Sequence, residues 1–244
     1  MVIDISQDAE ELGIRAALRV SEKLNEALNR NNEARIVLST GSSQFTTLKY
    51  LLQNDVDWSR IEVFHLDEYI GLPVTHKASF RKYLRERFID HLPVKEFFGI
   101  DVEDGAEQVI NRLTARLDEK PVDVGLIGIG VNGHIAFNDP PANFTTRLSF
   151  MIVSLDEKCR MQQVDEGWFD SIGEVPMTAI SMTPWRIMQC NTIISAVPYA
   201  VKAESIRNTM AGRVSELVPA TILKQHPDFH LFIDRDSASG IIRL

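Results

Sequence analysis

The chain has 244 residues, of which 44% are hydrophobic and 25% charged, the composition of a soluble globular protein with length for one well-buried α/β core. Its net charge of −8 argues against nucleic acid as a partner, because phosphate backbones are held by clustered Lys and Arg; a small phosphorylated ligand needs only a local site. No apolar stretch is long enough to span a bilayer, no basic-then-apolar leader opens the sequence, and Cys159 and Cys190 lack metal or redox spacing, so a reduced cytoplasmic protein without membrane contact is expected.

Residues 7–30 predict an amphipathic helix, with Leu12, Ala16, Leu24 and Leu28 at helical spacing. Residues 35–40 (RIVLST) read as a short buried strand that breaks at Gly41-Ser42-Ser43, and a helix follows. Residues 61–66 form a second strand ending in Asp67-Glu68-Tyr69. Helical patterns cover 79–92 and 106–119, and 122–129 is the central strand. Strands are expected at 149–155, 178–182, 192–197 and 229–233, with helices near 200–210 and 220–225. This alternation predicts one α/β domain, a doubly wound, mostly parallel, Rossmann-like sheet with helices on both faces. No repeat, low-complexity tract or flexible linker divides the chain. The irregular stretch 156–176 is a candidate lid.

Chemistry-bearing residues cluster where strands meet glycine turns, the edge at which open α/β sheets bind ligands. Ser39-Thr40-Gly41-Ser42-Ser43 reads either as an anion cradle of backbone N–H groups or as a plain helix cap, and no Gly-Lys-Ser/Thr follows to make it a Walker loop. Asp67 is a candidate general base, or a loop acid that caps a turn. Gly128-x-Gly130-x-x-Gly133 matches the dinucleotide fingerprint formally, but it lies mid-chain and runs into HIAFNDPP rather than a helix. It reads instead as backbone that approaches some other ligand. His134, five residues before Asp139, is a catalytic or a structural histidine. Lys202, in an early helical turn where a cation is not dipole-favoured, is explained by a bound anion or by simple solvation. His226 and His230 are separated by Pro227 in a strand-like pattern, so they are read as structural, and no metal site is expected.

Together and in this order, LSTGSSQ, FHLDEYIGL, SFRKYLRERFIDHL, GIGVNGHIAFND, VPMTAISM and AVPYAVKAES resemble the glucosamine-6-phosphate deaminase/isomerase family, over about residues 35–234. The related 6-phosphogluconolactonases share the fold but usually read DER and GHTAS at two of these places. The resemblance implies that Asp67 takes the C2 proton of an opened sugar and that His134 assists ring opening, tuned by Asn132 and Asp139. It implies a phosphate loop of Thr40, Gly41, Ser42 and Ser43, a phosphate contact from Lys202, and a reaction without cofactor. Glu68, Gly130 and Gly133 join the expected substrate-binding set. The substrate is then glucosamine 6-phosphate or an epimer such as galactosamine 6-phosphate, and a homo-oligomer stays open. A lactonase and a non-catalytic sugar-phosphate sensor are the alternative readings. Many family members carry Asp at position 132 and Glu at position 139, and often a phosphate-binding arginine where Asp165 aligns; Arg160 lies about one turn from that place. The segment RLSFMIV lacks the basic residues of the allosteric members, so no allosteric control is expected.

Overall fold

The computed structural model describes residues 1–165 and 167–241; Glu166, inside the expected lid, lies outside them. The elements run β1 (Val2–Ser6), α1 (Ala9–Asn31), β2 (Ala34–Leu38), α2 (Phe45–Leu51), β3 (Ile61–His65), β4 (Asp67–Tyr69), α3 (Phe80–Arg87), β5 (Glu96–Phe98), α4 (Ala106–Glu119), β6 (Val124–Leu126), β7 (Phe150–Ser154), α5 (Glu157–Asp165), β8 (Thr178–Met182), α6 (Pro184–Ile187), β9 (Thr192–Val197), α7 (Ala203–Ala211), β10 (Phe229–Asp234) and α8 (Arg235–Ala238).

Seven strands form a parallel sheet in the order β1-β10-β9-β6-β2-β3-β5. Side chains alternate across it, because successive strand residues point to opposite faces. Ile36 and Leu38 of β2 and Ile194 and Ala196 of β9 pack under α1, α2 and α3. Val37, Ile193 and Val197 pack on the other side with α4, α6, α7 and α8. Helix α1 shows how the sequence specifies its place. Asp8 caps its first turn through a 2.8 Å bond from the Glu11 N–H. Leu12, Ala16, Val20, Leu24 and Leu28 make one buried stripe, and Asn32, in the left-handed conformation, ends it.

Three expectations are corrected. The strands at 149–155 and 178–182 do not join the parallel sheet. As β7 and β8 they pair antiparallel with each other and with β4, forming a second sheet in the order β4-β8-β7. The central strand is only Val124–Leu126, since the glycines from Gly128 onward leave the ladder. Two main-sheet strands have no clear sequence pattern: β1, an edge strand whose Val2, Ile3 and Ile5 stay largely exposed, and the three-residue β5.

The chain passes between the sheets at Leu66. β3 pairs with β2 as far as His65 opposite Leu38, and β4 begins at Asp67 opposite Ser181. The two sheets therefore meet at the carboxyl rim of the main one. No helix among the described residues is long and apolar enough to cross a membrane.

Candidate active site

β2 and β6 are neighbours, yet the chain continues from β2 to β3 on one side and, after passing through β7 and β8 of the second sheet, from β6 to β9 on the other. Connections that part in this way open a crevice beyond the strand ends. A cavity of about 370 Å³ occupies it, walled by the turns after β2 and β6, the start of β4, the approach to α3, part of α5 and the turn before α7.

The turn after β2 supplies Thr40, Gly41, Ser42 and Ser43 to the wall. Gly41 has φ +101°, which permits the sharp exit from the strand. Its carbonyl accepts the Gln44 N–H at 3.0 Å. The buried Gln44 amide donates to the Ala196 carbonyl at 3.1 Å and to Ser43 Oγ at 3.0 Å, so the loop is tied to β9 from behind. Lys202 enters the wall from the short turn Ala200–Lys202. Tyr199 opens that turn at φ +81°, a strained conformation for a bulky side chain, with its N–H held by Asp234 at 2.9 Å.

Asp67 lines the cavity and is 7% exposed. Burial, and then the charge of Glu68, push its carboxyl up to about 8, and an N–H from Phe137 offsets this only in part. Glu68 is placed differently from expectation. Strand alternation turns it away from Asp67, and it is fully buried outside the cavity. There it accepts bonds from Ser79 Oγ at 2.8 Å, the Phe80 and Arg81 N–H groups at 3.2 and 3.0 Å, and Arg81 Nε at 3.2 Å. It holds the start of α3 and does not line the cavity.

His134 faces the cavity from the turn after β6. Its Nδ1 lies 3.1 Å from Asp139 Oδ1, without a well-aligned hydrogen bond. Asn132 bridges the pair: its Nδ2 donates to Asp139 Oδ1 at 2.9 Å, and its Oδ1 accepts the His134 N–H at 2.9 Å. Burial pushes the Asp139 carboxyl up, but the contacts with His134, Asn132 and Cys159 outweigh it and leave the group below its usual range. Asn132 and Asp139 thus stand behind the histidine rather than in the cavity wall. Gly130 is in the wall, and a Cβ there would overlap the imidazole ring, so the close approach of backbone to His134 requires glycine. Gly133 faces Val218 instead of the cavity. Asn138 fastens the turn to β8, donating to the Met182 carbonyl at 2.8 Å.

Several wall residues carried no readable sequence signal. Phe80, Phe137 and Trp168 form an apolar side, and Lys77, Tyr83, Cys159, Gln163 and Tyr199 also reach the cavity. Cys159 and Gln163 come from α5, which sequence periodicity did not place, and Lys77, Phe80 and Tyr83 from α3 and its approach, whose position against the site depends on long-range packing. Tyr69 donates to Gln163 Oε1 at 2.8 Å, Phe169 stacks on His76 at 5.1 Å, and Lys77 pairs with Asp170 at 3.0 Å. These contacts hold the segment around α5 against the site. Arg160 donates to the Ile172 carbonyl and is not in the wall. His226 bonds the Cys190 carbonyl at 2.8 Å and His230 bonds Asp228 at 2.8 Å. Among the described residues no cluster suits a metal ion.

The family model for glucosamine-6-phosphate isomerases and 6-phosphogluconolactonase matches residues 7–231. A glucosamine-6-phosphate deaminase of Thermoanaerobacter pseudethanolicus is 31% identical over 250 residues, spanning 99% of this chain and 95% of that protein. One from Streptococcus pneumoniae is 35% identical over 210 residues, spanning 86% and 88%. The solved structure of a monomeric glucosamine-6-phosphate deaminase superposes with a TM-score of 0.90 at 30% identity, covering 98% of this chain and 100% of that one. A Trypanosoma brucei 6-phosphogluconolactonase shares the fold, with a TM-score of 0.82 at 17% identity over 99% of this chain and 98% of the other. The chain belongs to the glucosamine-6-phosphate isomerase/6-phosphogluconolactonase family.

Proposed function

We propose that this protein is an amino-sugar-phosphate deaminase, converting glucosamine 6-phosphate, or its galactosamine epimer, and water to the ketose 6-phosphate and ammonia. The supporting observation is a buried aspartate of raised proton affinity that shares one cavity with a histidine and an anion-type loop. A proton alpha to a carbonyl is too weakly acidic for an exposed carboxylate to remove readily, and desolvation makes Asp67 a stronger base.

The phosphate lies on the N–H groups and hydroxyls of residues 40–43 and on Lys202, which holds C2 near Asp67. His134 passes a proton to the ring oxygen as the C1–O5 bond breaks and the O1 hydroxyl gives up its proton to water, which opens the sugar to its aldehyde, with Asp139 stabilising the imidazolium and Asn132 orienting both groups. Asp67 then removes the C2 proton, giving an enolamine, and returns a proton to C1. The product is a C2 imine; water adds to it and ammonia leaves. Residues 156–176 act as a lid that keeps bulk water from the enolamine. The segment's contacts with Tyr69, His76 and Lys77 support that role. We place the reaction in the cytoplasm, where the free Cys159 and Cys190 stay reduced.

Ammonia release from glucosamine 6-phosphate and galactosamine 6-phosphate, run beside hydrolysis of 6-phosphogluconolactone, tests the reading. Turnover of a hexosamine phosphate is expected, with solvent deuterium entering the product at C1. Lactone hydrolysis alone, or ligand-induced thermal stabilisation without any turnover, would falsify it.

A further inference from the structure

The anion loop follows β2 and the base begins β4, and helix α3 touches both. At its start, Ser79 Oγ and the N–H groups of Phe80 and Arg81 bond the carboxylate of Glu68, the neighbour of Asp67. One turn further on, Tyr83 Oη donates to the Gly41 carbonyl at 2.9 Å. The Tyr83 ring is itself fixed, stacked on Phe45 at 5.7 Å with the Arg87 guanidinium 5.4 Å from its centre. Burial raises the Tyr83 phenol, which keeps it protonated and able to donate.

Gly41 is the residue of this loop with the most backbone freedom, and a Cβ there would meet nothing within 4 Å. Its carbonyl and the Ser42 N–H belong to one planar trans peptide, so fixing the oxygen fixes the direction of that N–H. Gln44 alone holds the oxygen from within the loop, at 3.0 Å. The bond from Tyr83 ties it to a separate rigid element.

We infer that Tyr83 is a positioning residue, which locks the phosphate loop to α3 and so sets the loop's place relative to Asp67. This rests on the reading of residues 40–43 as the phosphate site. Substrate reaches Asp67 correctly only if its anchor is rigid, since misplacement by about 1 Å is enough to slow a reaction markedly.

The test is Tyr83→Phe, which removes the hydroxyl and keeps the ring. The Kd for inorganic phosphate, measured by calorimetry, and the KM for the hexosamine phosphate should both rise about fivefold, the scale of one neutral hydrogen bond. The kcat should fall as well, by about threefold or more, because a looser anchor leaves C2 over Asp67 for less of the time, while its pH profile keeps its shape because the surroundings of Asp67 and His134 are untouched. A merely structural tyrosine would lower thermal stability without moving phosphate affinity. Wild-type protein that fails to bind phosphate, or an unchanged phosphate Kd in the variant, overturns the inference. Phosphate binding that weakens in the variant, with no turnover by wild-type protein, upholds the inference and discards the deaminase reading.

Discussion

Replacing Asp67 with Asn tests the electrostatic basis of the proposed mechanism without reference to turnover. The substitution keeps the shape of the side chain and removes its charge. In the fold the carboxyl titrates at about 8, against 3.8 for an unperturbed aspartate. A folded state that holds its proton more tightly than the unfolded chain loses stability as pH rises between those two values. The loss is absent below about pH 4 and complete above about pH 8. A gap of about four units, at about 1.4 kcal/mol each, sets a ceiling of about 6 kcal/mol for a dry, rigid site. Asp67 borders an open cavity, where water relaxes around the charge, so we expect about 2 kcal/mol. For a chain of this length that raises the Tm of Asp67→Asn over wild type by about 4–8 °C at pH 8.5. The gain should shrink steadily toward pH 5. Scanning calorimetry at both pH values decides the matter. A variant no more stable than wild type at pH 8.5, or a gain independent of pH, refutes the raised proton affinity.

The same titration predicts that wild-type kcat/KM climbs with pH to a plateau above about 8, whereas Asp67→Asn binds substrate and exchanges no C2 proton in deuterated water. Gly130→Ala should leave the protein folded but push the imidazole of His134 aside, lowering kcat/KM at least about 100-fold; an active variant refutes the stated need for glycine. Lys202→Ala should raise KM for the sugar phosphate about 10- to 100-fold, as the loss of a charge-assisted bond does, while kcat changes little; a kcat effect without a KM effect contradicts a phosphate contact. Glu68→Gln weakens the bonds that Ser79 and the first N–H groups of α3 make to the carboxylate, while Arg81 keeps Glu103 at 2.6 Å, so it should cost about 1–2 kcal/mol in thermal unfolding. By removing a neighbouring negative charge it should also move the rise in kcat/KM to lower pH. An unmoved pH limb would show that Glu68 does not act on Asp67.

Motifs whose residues are close in sequence were legible, because local chemistry suffices to read them. Gly41-Ser42-Ser43 had to leave a strand through a turn, and GVNGHIAFND had to bring Asn132, His134 and Asp139 together, since eight residues folded over a glycine turn have little other choice. Helix α1 and strands β2, β3 and β9 declared themselves by buried period and caps. Glu68 was expected in the site as the neighbour of Asp67 at the end of a strand; residues 67–69 form a strand of their own, β4, in which neighbouring side chains point to opposite faces. The wall residues from α5 and from the approach to α3 were missed because their contacts span long stretches of chain, as between Tyr69 and Gln163.

By itself, the sequence determined the alternation of strands and helices, the two polar turns and the identity of the groups they carry, because periodicity and turn chemistry are local. Only the tertiary structure decided that the chain changes sheets at Leu66, that Asp67 is desolvated while Glu68 caps a helix, and that Tyr83 reaches Gly41. Burial and long-range pairing set those outcomes, and neither is a property of a short segment.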